Sequence, residues 1–146
     1  MMPEDTMLVI PEHVLLGSQA QSKRALLTEM ASLLLSIDLD LALEVITARE
    51  KLGSTGMGHG VAIPHGRLEG LQTPAIVVAI HEKGVDFDAI DNELVNIVVM
   101  LLVPNDNHQA HLGLLAKLAR LLQQSHVRQA LRNAKTEEDV AQLFQI

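Results

Sequence analysis

The stretch LVNIVVMLLV, residues 94–103, sets nine apolar residues around one asparagine. A strand with one wet face alternates polar and apolar positions, and this run does not, so it reads as a strand covered on both faces. A second run, AIVVAIH at residues 75–81, has the same character, and Pro, Gly, Asn or Asp bound both. Outward from this pair the periodicity turns helical. Upstream, Ser22 is a candidate N-cap for a helix carrying Leu26, Leu27, Met30, Leu33, Leu34 and Ile37 on one face. Asp38 or Asp40 caps a second helix, whose stripe of Leu41, Val45, Ala48 and Leu52 ends against Gly53. Arg49 and Lys51 then fall in its last turn, where cations suit the helix dipole. Downstream, residues 105–107 open a third helix with His111, Leu115, Leu118 and Leu122 on one face. Ser125 and Thr136 are read as caps of two more, the last with Val140, Leu143 and Phe144 inward. Helices precede, separate and follow the strands. The expected fold is a single α/β domain over residues 1–146, with a central, mostly buried mixed β-sheet flanked by helices.

Composition excludes several classes. At 146 residues and 48% hydrophobic content the chain can bury one core. Without cysteine it has neither disulfides nor thiolate chemistry, which fits a reducing compartment. The amino terminus lacks a basic segment leading into a long apolar one, and no run reaches the roughly 18–20 apolar residues that span a bilayer. A soluble, cytoplasmic protein without membrane insertion is expected. With 18 acidic against 11 basic residues the formal charge is −7, which opposes a nucleic-acid backbone and suits a basic protein partner.

Chemistry is sought in GHGVAIPHGR, residues 58–67. Four glycines between 53 and 60 read as a loop whose backbone approaches something closely. Pro64 fixes its own φ and biases Ile63 toward extended backbone, so residues 61–63 form a short strand that delivers His65 at its end. Gly66, Gly58 and Gly60 are expected to leave room around that ring. A turn histidine at a sheet edge is the alternative. On spacing alone His111, which shares an inward stripe, reads first as a core histidine with a satisfied hydrogen bond; yet it lies in the first turns of its helix, where amides and dipole favour an anion, so it can also donate to a phosphate. A metal site built from His59, His65, His108 and His111 is a further alternative. Against it, the helical zinc spacing with its Glu is missing and there is no Cys. No Gly-Lys-Ser/Thr follows GSTGMGHG, so the loop is not a Walker A motif, and Ser54 lacks a nucleophile elbow.

The run REKLGSTGMGHGVAIPHGRLEG, residues 49–70, resembles the active-site region of enzyme IIA domains of the fructose/mannitol class in the bacterial phosphoenolpyruvate-dependent phosphotransferase system. VDFDAIDNELVNIVVMLLVP, residues 85–104, with a histidine early in the next helix, is similar to the nitrogen-regulatory branch of that class. The resemblance covers essentially the whole chain. It implies a phosphoryl carrier that takes its group from the phosphohistidine of HPr or an HPr-like nitrogen-branch protein. His65 matches the family's acceptor, Arg49 its phosphate-binding arginine and His111 its second active-site histidine, with Ser54, His59 and Gly66 as neighbours of the phosphate. No cofactor or metal is implied. Physical chemistry suits these roles: a neutral imidazole is nucleophilic at physiological pH, the N–P bond stays labile, and transfer depends mainly on positioning and charge compensation.

His59 departs from the pattern, because the family often carries an amide or acid there. A third imidazole near the phosphate would add charge below about pH 6.5; an exposed loop histidine is the alternative. Met57, Val61 and Ile90 are candidates for an apolar partner face near His65. Two functions remain open: a regulator whose phosphorylation state controls binding to target proteins, and a sugar-uptake component that passes the group to a cysteine of a IIB domain. A chain of this length without a IIB-like or membrane segment favours the regulator. Outside the family, a small-molecule-binding α/β module is the remaining alternative.

Overall fold

The computed structural model describes residues 9–106 and 108–145. Among them, a 3-10 turn at Pro11–His13 leads into β1 (Val14–Leu16), α1 (Lys23–Ala31) and α2 (Leu39–Lys51). Then come β2 (Gly56–Gly58), β3 (Val61–Ala62), β4 (His65–Leu68), β5 (Ala75–Val85) and β6 (Val95–Pro104). The chain ends on α3 (His108–Leu122), α4 (Ser125–Asn133) and α5 (Glu137–Gln142). The six strands form one mixed sheet in the order β1-β5-β6-β3-β2, with β4 also paired to β6. β5 and β6 run antiparallel, while β1 lies parallel to β5. On its other edge β6 carries two short parallel strands in series, β3 at Ile97–Val98 and β4 at Leu101–Pro104.

The sheet is covered on both faces, as its unbroken apolar runs require. Ile97, Val99, Leu101 and Val103 of β6 join Leu118, Leu122, Val127, Leu131, Val140 and Phe144 from the α3–α5 side. Val98, Met100 and Leu102 point the other way, into a cluster with Leu26, Leu27, Met30, Ala42 and Ile46 of α1 and α2. Each such side chain contributes about 1.5–3 kcal/mol by leaving water, so the β6 run alone is a large share of the driving force for folding.

Capping chemistry sets most helix starts. Ser22 accepts from Ala25 N–H, Asp38 from Leu41 N–H and Thr136 from Asp139 N–H. Ser125 is not a cap: it is the first residue of α4, and the N-cap is Gln124, without a side-chain bond. α1 stops at Ala31, so Leu33, Leu34 and Ile37 of the expected stripe lie in the turns that follow. The buried face of α2 matches the expected one only in its first half, where Leu41 and Val45 pack partly buried on the α1–α2 cluster. Ala42 and Ile46 are buried, whereas Ala48 and Leu52 are exposed, because α2 turns toward both α1 and β4. Asn107 lies outside the described residues, and the third helix is described from His108.

The glycine-rich segment holds a strand as well as a loop. β2 pairs antiparallel with β3, Gly56 opposite Ala62 and Gly58 opposite Val61, with a register shift between the two pairs. His59 (φ 57°) and Gly60 (φ 75°) make the turn in left-handed conformation.

Candidate active site

β3 and β4 amount to one strand interrupted at Ile63–Pro64. Gly60 O accepts from Asn96 and Ile97 N–H at 2.9 and 3.0 Å, Pro64 O accepts from Leu101 N–H at 2.9 Å, and His65 rejoins the sheet opposite Leu101. Proline has no N–H to offer a ladder, so the interruption falls where the sequence places it. There the His65 ring folds back, with Nδ1 2.7 Å from Ile63 O. A carbonyl oxygen brings no proton, so Nδ1 carries it and the neutral ring keeps its lone pair on Nε2.

Cross-strand neighbours project to the same side of a sheet, and Leu101 faces the α3–α5 cluster. α3 brings His111 to that side: the two ring centroids lie 5.7 Å apart at 79°, edge to face. His111 is 7% exposed, while His65 is partly exposed. The structure thus unites the two histidines from residues 46 positions apart.

Arg49 belongs to α2, on the other face of the sheet, and its Nη1 donates to Gly53 O at 2.9 Å. Gly66 also points that way, next to His65 but on the opposite face. A Cβ at position 66 would overlap Val45 Cγ1 of α2. Gly66 therefore does not clear space for a reactant; it lets α2 lie against β4, which holds the last turn bearing Arg49, four residues beyond Val45, near the end of the sheet. Gly66→Ala is expected to destabilise by roughly 1–3 kcal/mol, an overpacking cost. Adding Val45→Ala should recover part of the lost melting temperature, which thermal unfolding of the single and double variants measures.

Other sequence candidates hold the frame. Ser54 Oγ donates to Phe87 O at 2.5 Å and accepts from Gly56 N–H at 3.0 Å, so its proton is committed to the loop after β5. His59 is exposed; its N–H donates to Asp91 Oδ2 at 3.3 Å. Gly60 gives no room to a reactant either, because a Cβ there would run into Arg132 and Asn96. Arg132 of α4 donates through Nε to Asn96 Oδ1 at 3.0 Å and through Nη2 to His59 O, clamping the turn beneath β3. Nothing in the sequence pattern marks that clamp, since α4 and the turn lie 73 residues apart.

Of the apolar partner face, Met57 and Ile90 are exposed at 38% and 94%, whereas Val61 is not part of it. Val61 is 1% exposed, because β3 lies between β2 and β6 and this side chain faces α3–α5. Leu94, expected to open the strand covered on both faces, lies just before β6 and is exposed at 54%, and Leu112, next to His111, is exposed at 48%; both add apolar surface. Among the described residues no group of three or more His, Cys, Asp or Glu is placed to hold a metal ion. The side chain of His108 lies outside them. No described helix is long and apolar enough to cross a membrane.

Comparison with known proteins shows the family and the fold. A nitrogen regulatory protein of Pseudomonas aeruginosa is 40% identical over 140 residues, 93% of this chain and 91% of that one. The crystal structure of nitrogen regulatory protein IIA-Ntr from Neisseria meningitidis superposes with a TM-score of 0.88 at 36% identity, covering 93% of this chain and 95% of that one. Enzyme IIAMTL of Escherichia coli, solved in complex with phosphorylated enzyme IIBMTL, shares the fold at a TM-score of 0.76 and 19% identity, over 92% of this chain and 95% of that one. The family model for the phosphoenolpyruvate-dependent sugar phosphotransferase system, EIIA 2, matches residues 7–146, and the chain belongs to that family.

Proposed function

We propose that this protein is a phosphoryl carrier that takes the group from the phosphohistidine of HPr, or of an HPr-like nitrogen-branch protein, onto Nε2 of His65, and that its phosphorylation state controls binding to target proteins. The observation that carries this reading is the bond from His65 Nδ1 to Ile63 O at 2.7 Å. It leaves Nε2 as the nucleophile and fixes the ring before any partner arrives. The Nε2 lone pair attacks phosphorus while the donor's N–P bond breaks, its electron pair returning to the donor imidazole. Positive charge appears on the His65 ring as Nε2 forms its bond, and the Ile63 carbonyl at Nδ1–H stabilises it.

His111, edge-on to His65 at the start of α3, is assigned as a donor to the phosphoryl oxygens. Arg49 is assigned as their cationic clamp; to act so, its guanidinium exchanges the Gly53 carbonyl for the phosphoryl group. The relatives named as nitrogen regulatory proteins support the regulatory half of the reading.

Incubation with phosphoenolpyruvate, enzyme I and the carrier protein should add one phosphoryl group per chain, labile in acid and stable in base, and phosphorus NMR should place it on Nε2. A group on Nδ1 would break the argument from Ile63. Arg49→Lys and His111→Ala should each retain the acceptor yet slow transfer by a factor corresponding to about 2–4 kcal/mol, roughly thirty- to thousandfold. Wild-type rates in quench-flow would return both residues to structural roles.

A further inference from the structure

Glu50 sits near the C-terminal end of α2, where a carboxylate ordinarily lies in water, yet its side chain is only 6% exposed. Enclosing a carboxylate costs several kcal/mol unless cations and donors surround it. They do. Lys23 Nζ, from the first turn of α1, lies 2.5 Å from Oε1 and also 5.1 Å from the centre of the Phe87 ring. Thr55, itself 7% exposed, donates its N–H to Oε1 at 3.4 Å and its hydroxyl to Oε2. One carboxylate thus joins α1, α2 and the lead-in to β2.

The bonds continue beyond Thr55. Its carbonyl accepts from Ile63 N–H at 3.2 Å, and the carbonyl of Ile63 accepts from His65 Nδ1 at 2.7 Å. The β2–β3 ladder changes register between Gly56 and Gly58, so the Thr55–Ile63 bond is the tie that extends this pairing toward Pro64. Ile63 cannot rely on its proline neighbour for a further sheet bond. The position of the Ile63 peptide, and with it the tautomer of His65, therefore leans on Thr55, and Thr55 leans on the enclosed Glu50 carboxylate and its Lys23 partner.

We propose that Glu50 is a positioning residue for His65: paired with Lys23, its carboxylate fixes Thr55, Thr55 fixes Ile63, and the Ile63 carbonyl holds the proton on Nδ1 so that Nε2 presents its lone pair. The proposal rests on the reading of His65 as phosphoacceptor and adds the residues that ready it. Lys23 is part of the device, because its ammonium is the cation that pairs with the carboxylate at 2.5 Å.

The test uses Thr55→Val, which deletes the hydroxyl at nearly constant volume, Thr55→Ser, which keeps it, and Glu50→Gln, which keeps the shape and drops the charge. Ring-nitrogen NMR of histidine-labelled, unphosphorylated protein reads the His65 tautomer directly. In wild type Nδ1 should carry the proton. In Thr55→Val and Glu50→Gln the Nε2-protonated form should rise, and kcat for phosphoryl uptake should fall roughly tenfold, the worth of one net hydrogen bond to a well-placed group, with KM for the carrier unchanged. Thr55→Ser should restore both readouts, and Thr55→Val in the Glu50→Gln background should add little, because the two act through one path. A wild-type tautomer and rate in Thr55→Val would overturn the proposal, and so would a loss that Thr55→Ser fails to rescue. Should Glu50→Gln not fold, the two Thr55 variants decide alone. Absence of phosphoryl on His65 in the wild type would sink the carrier reading instead, while the tautomer measurement would still judge the path from Glu50.

Discussion

His65→Ala is expected to take up no phosphoryl group under conditions that load the wild type fully. The effect is all or none because of the chemistry. Removing a group that stabilises the transition state leaves slow transfer, but removing the nucleophile leaves no atom for phosphorus to bond. His111 does not substitute: it is 7% exposed, whereas the His65 ring 5.7 Å away is partly exposed, so an incoming phosphohistidine has the open ring to meet and not the buried one. His59 is exposed, but its backbone is held by Asp91 and Arg132 on the turn between β2 and β3, outside the His65–His111 pair. The variant should also remain folded. His65 contributes one side-chain hydrogen bond and one edge contact, worth about 1 kcal/mol each, while the pairing of β4 with Leu101 to Pro104 runs through backbone and survives truncation. The measurement is phosphate incorporation by intact mass, with amide NMR or thermal unfolding as the check on structure. Full incorporation in a folded His65→Ala would move the acceptor elsewhere and end the assignment.

What could be read from the residues divides along physical lines. β5 and β6 were legible because strands buried on both faces leave uninterrupted Val and Ile runs. Ser22, Asp38 and Thr136 were legible because a cap acts within three residues of itself. β4 was not: HGRL has no apolar period, and it becomes a strand because β3 covers only part of the free edge of β6. The stripe on α2 was legible only in part: LDLALEVITARE offers overlapping apolar faces, Leu41 and Val45 do pack on the core, and packing against α1 and β4 buries Ala42 and Ile46 in place of Ala48 and Leu52. Gly66 shows the same limit at the site. Its adjacency to His65 suggested access for a reactant, but adjacent strand residues face opposite ways, and the contact that excludes a side chain comes from Val45 on the far face. The His65–His111 pair was expected from the motif's resemblance to a family; no spacing in the chain implied it. The Glu50–Thr55–Ile63 path had no signature at all, since each bond crosses the end of one element into another.

Binding to a regulatory target is expected to differ by at least tenfold between the phosphorylated and unphosphorylated protein. Phosphorylation adds about −1.5 to −2 charges to a chain already at −7. The loop after β5 packs against β2, with Ala89 at Gly56 and Asp91 at Gly58 and His59 N–H, so exposed Met57 and Ile90 flank one junction. Asp86, Asp88, Asp91 and Glu93 on the same loop are exposed as well. A target that covers the phosphoryl group on His65 with apolar side chains alone must strip water from it without compensation, at several kcal/mol, and so prefers the unmodified form. A target that brings Arg or Lys gains charge-assisted bonds to the phosphoryl oxygens and prefers the modified one. On the proposed reading the state of His65 sets affinity either way, and His65→Ala should behave as the unphosphorylated protein in all conditions. Pull-down from the native lysate with wild type in both states and with His65→Ala, followed by titration calorimetry on the retained partner, reads the difference. Equal affinity in both states would remove the regulatory reading. If the sole state-sensitive partner is a IIB domain that leaves with the phosphoryl group on its cysteine, the same surface serves sugar uptake instead, because the charge has then been passed on rather than read.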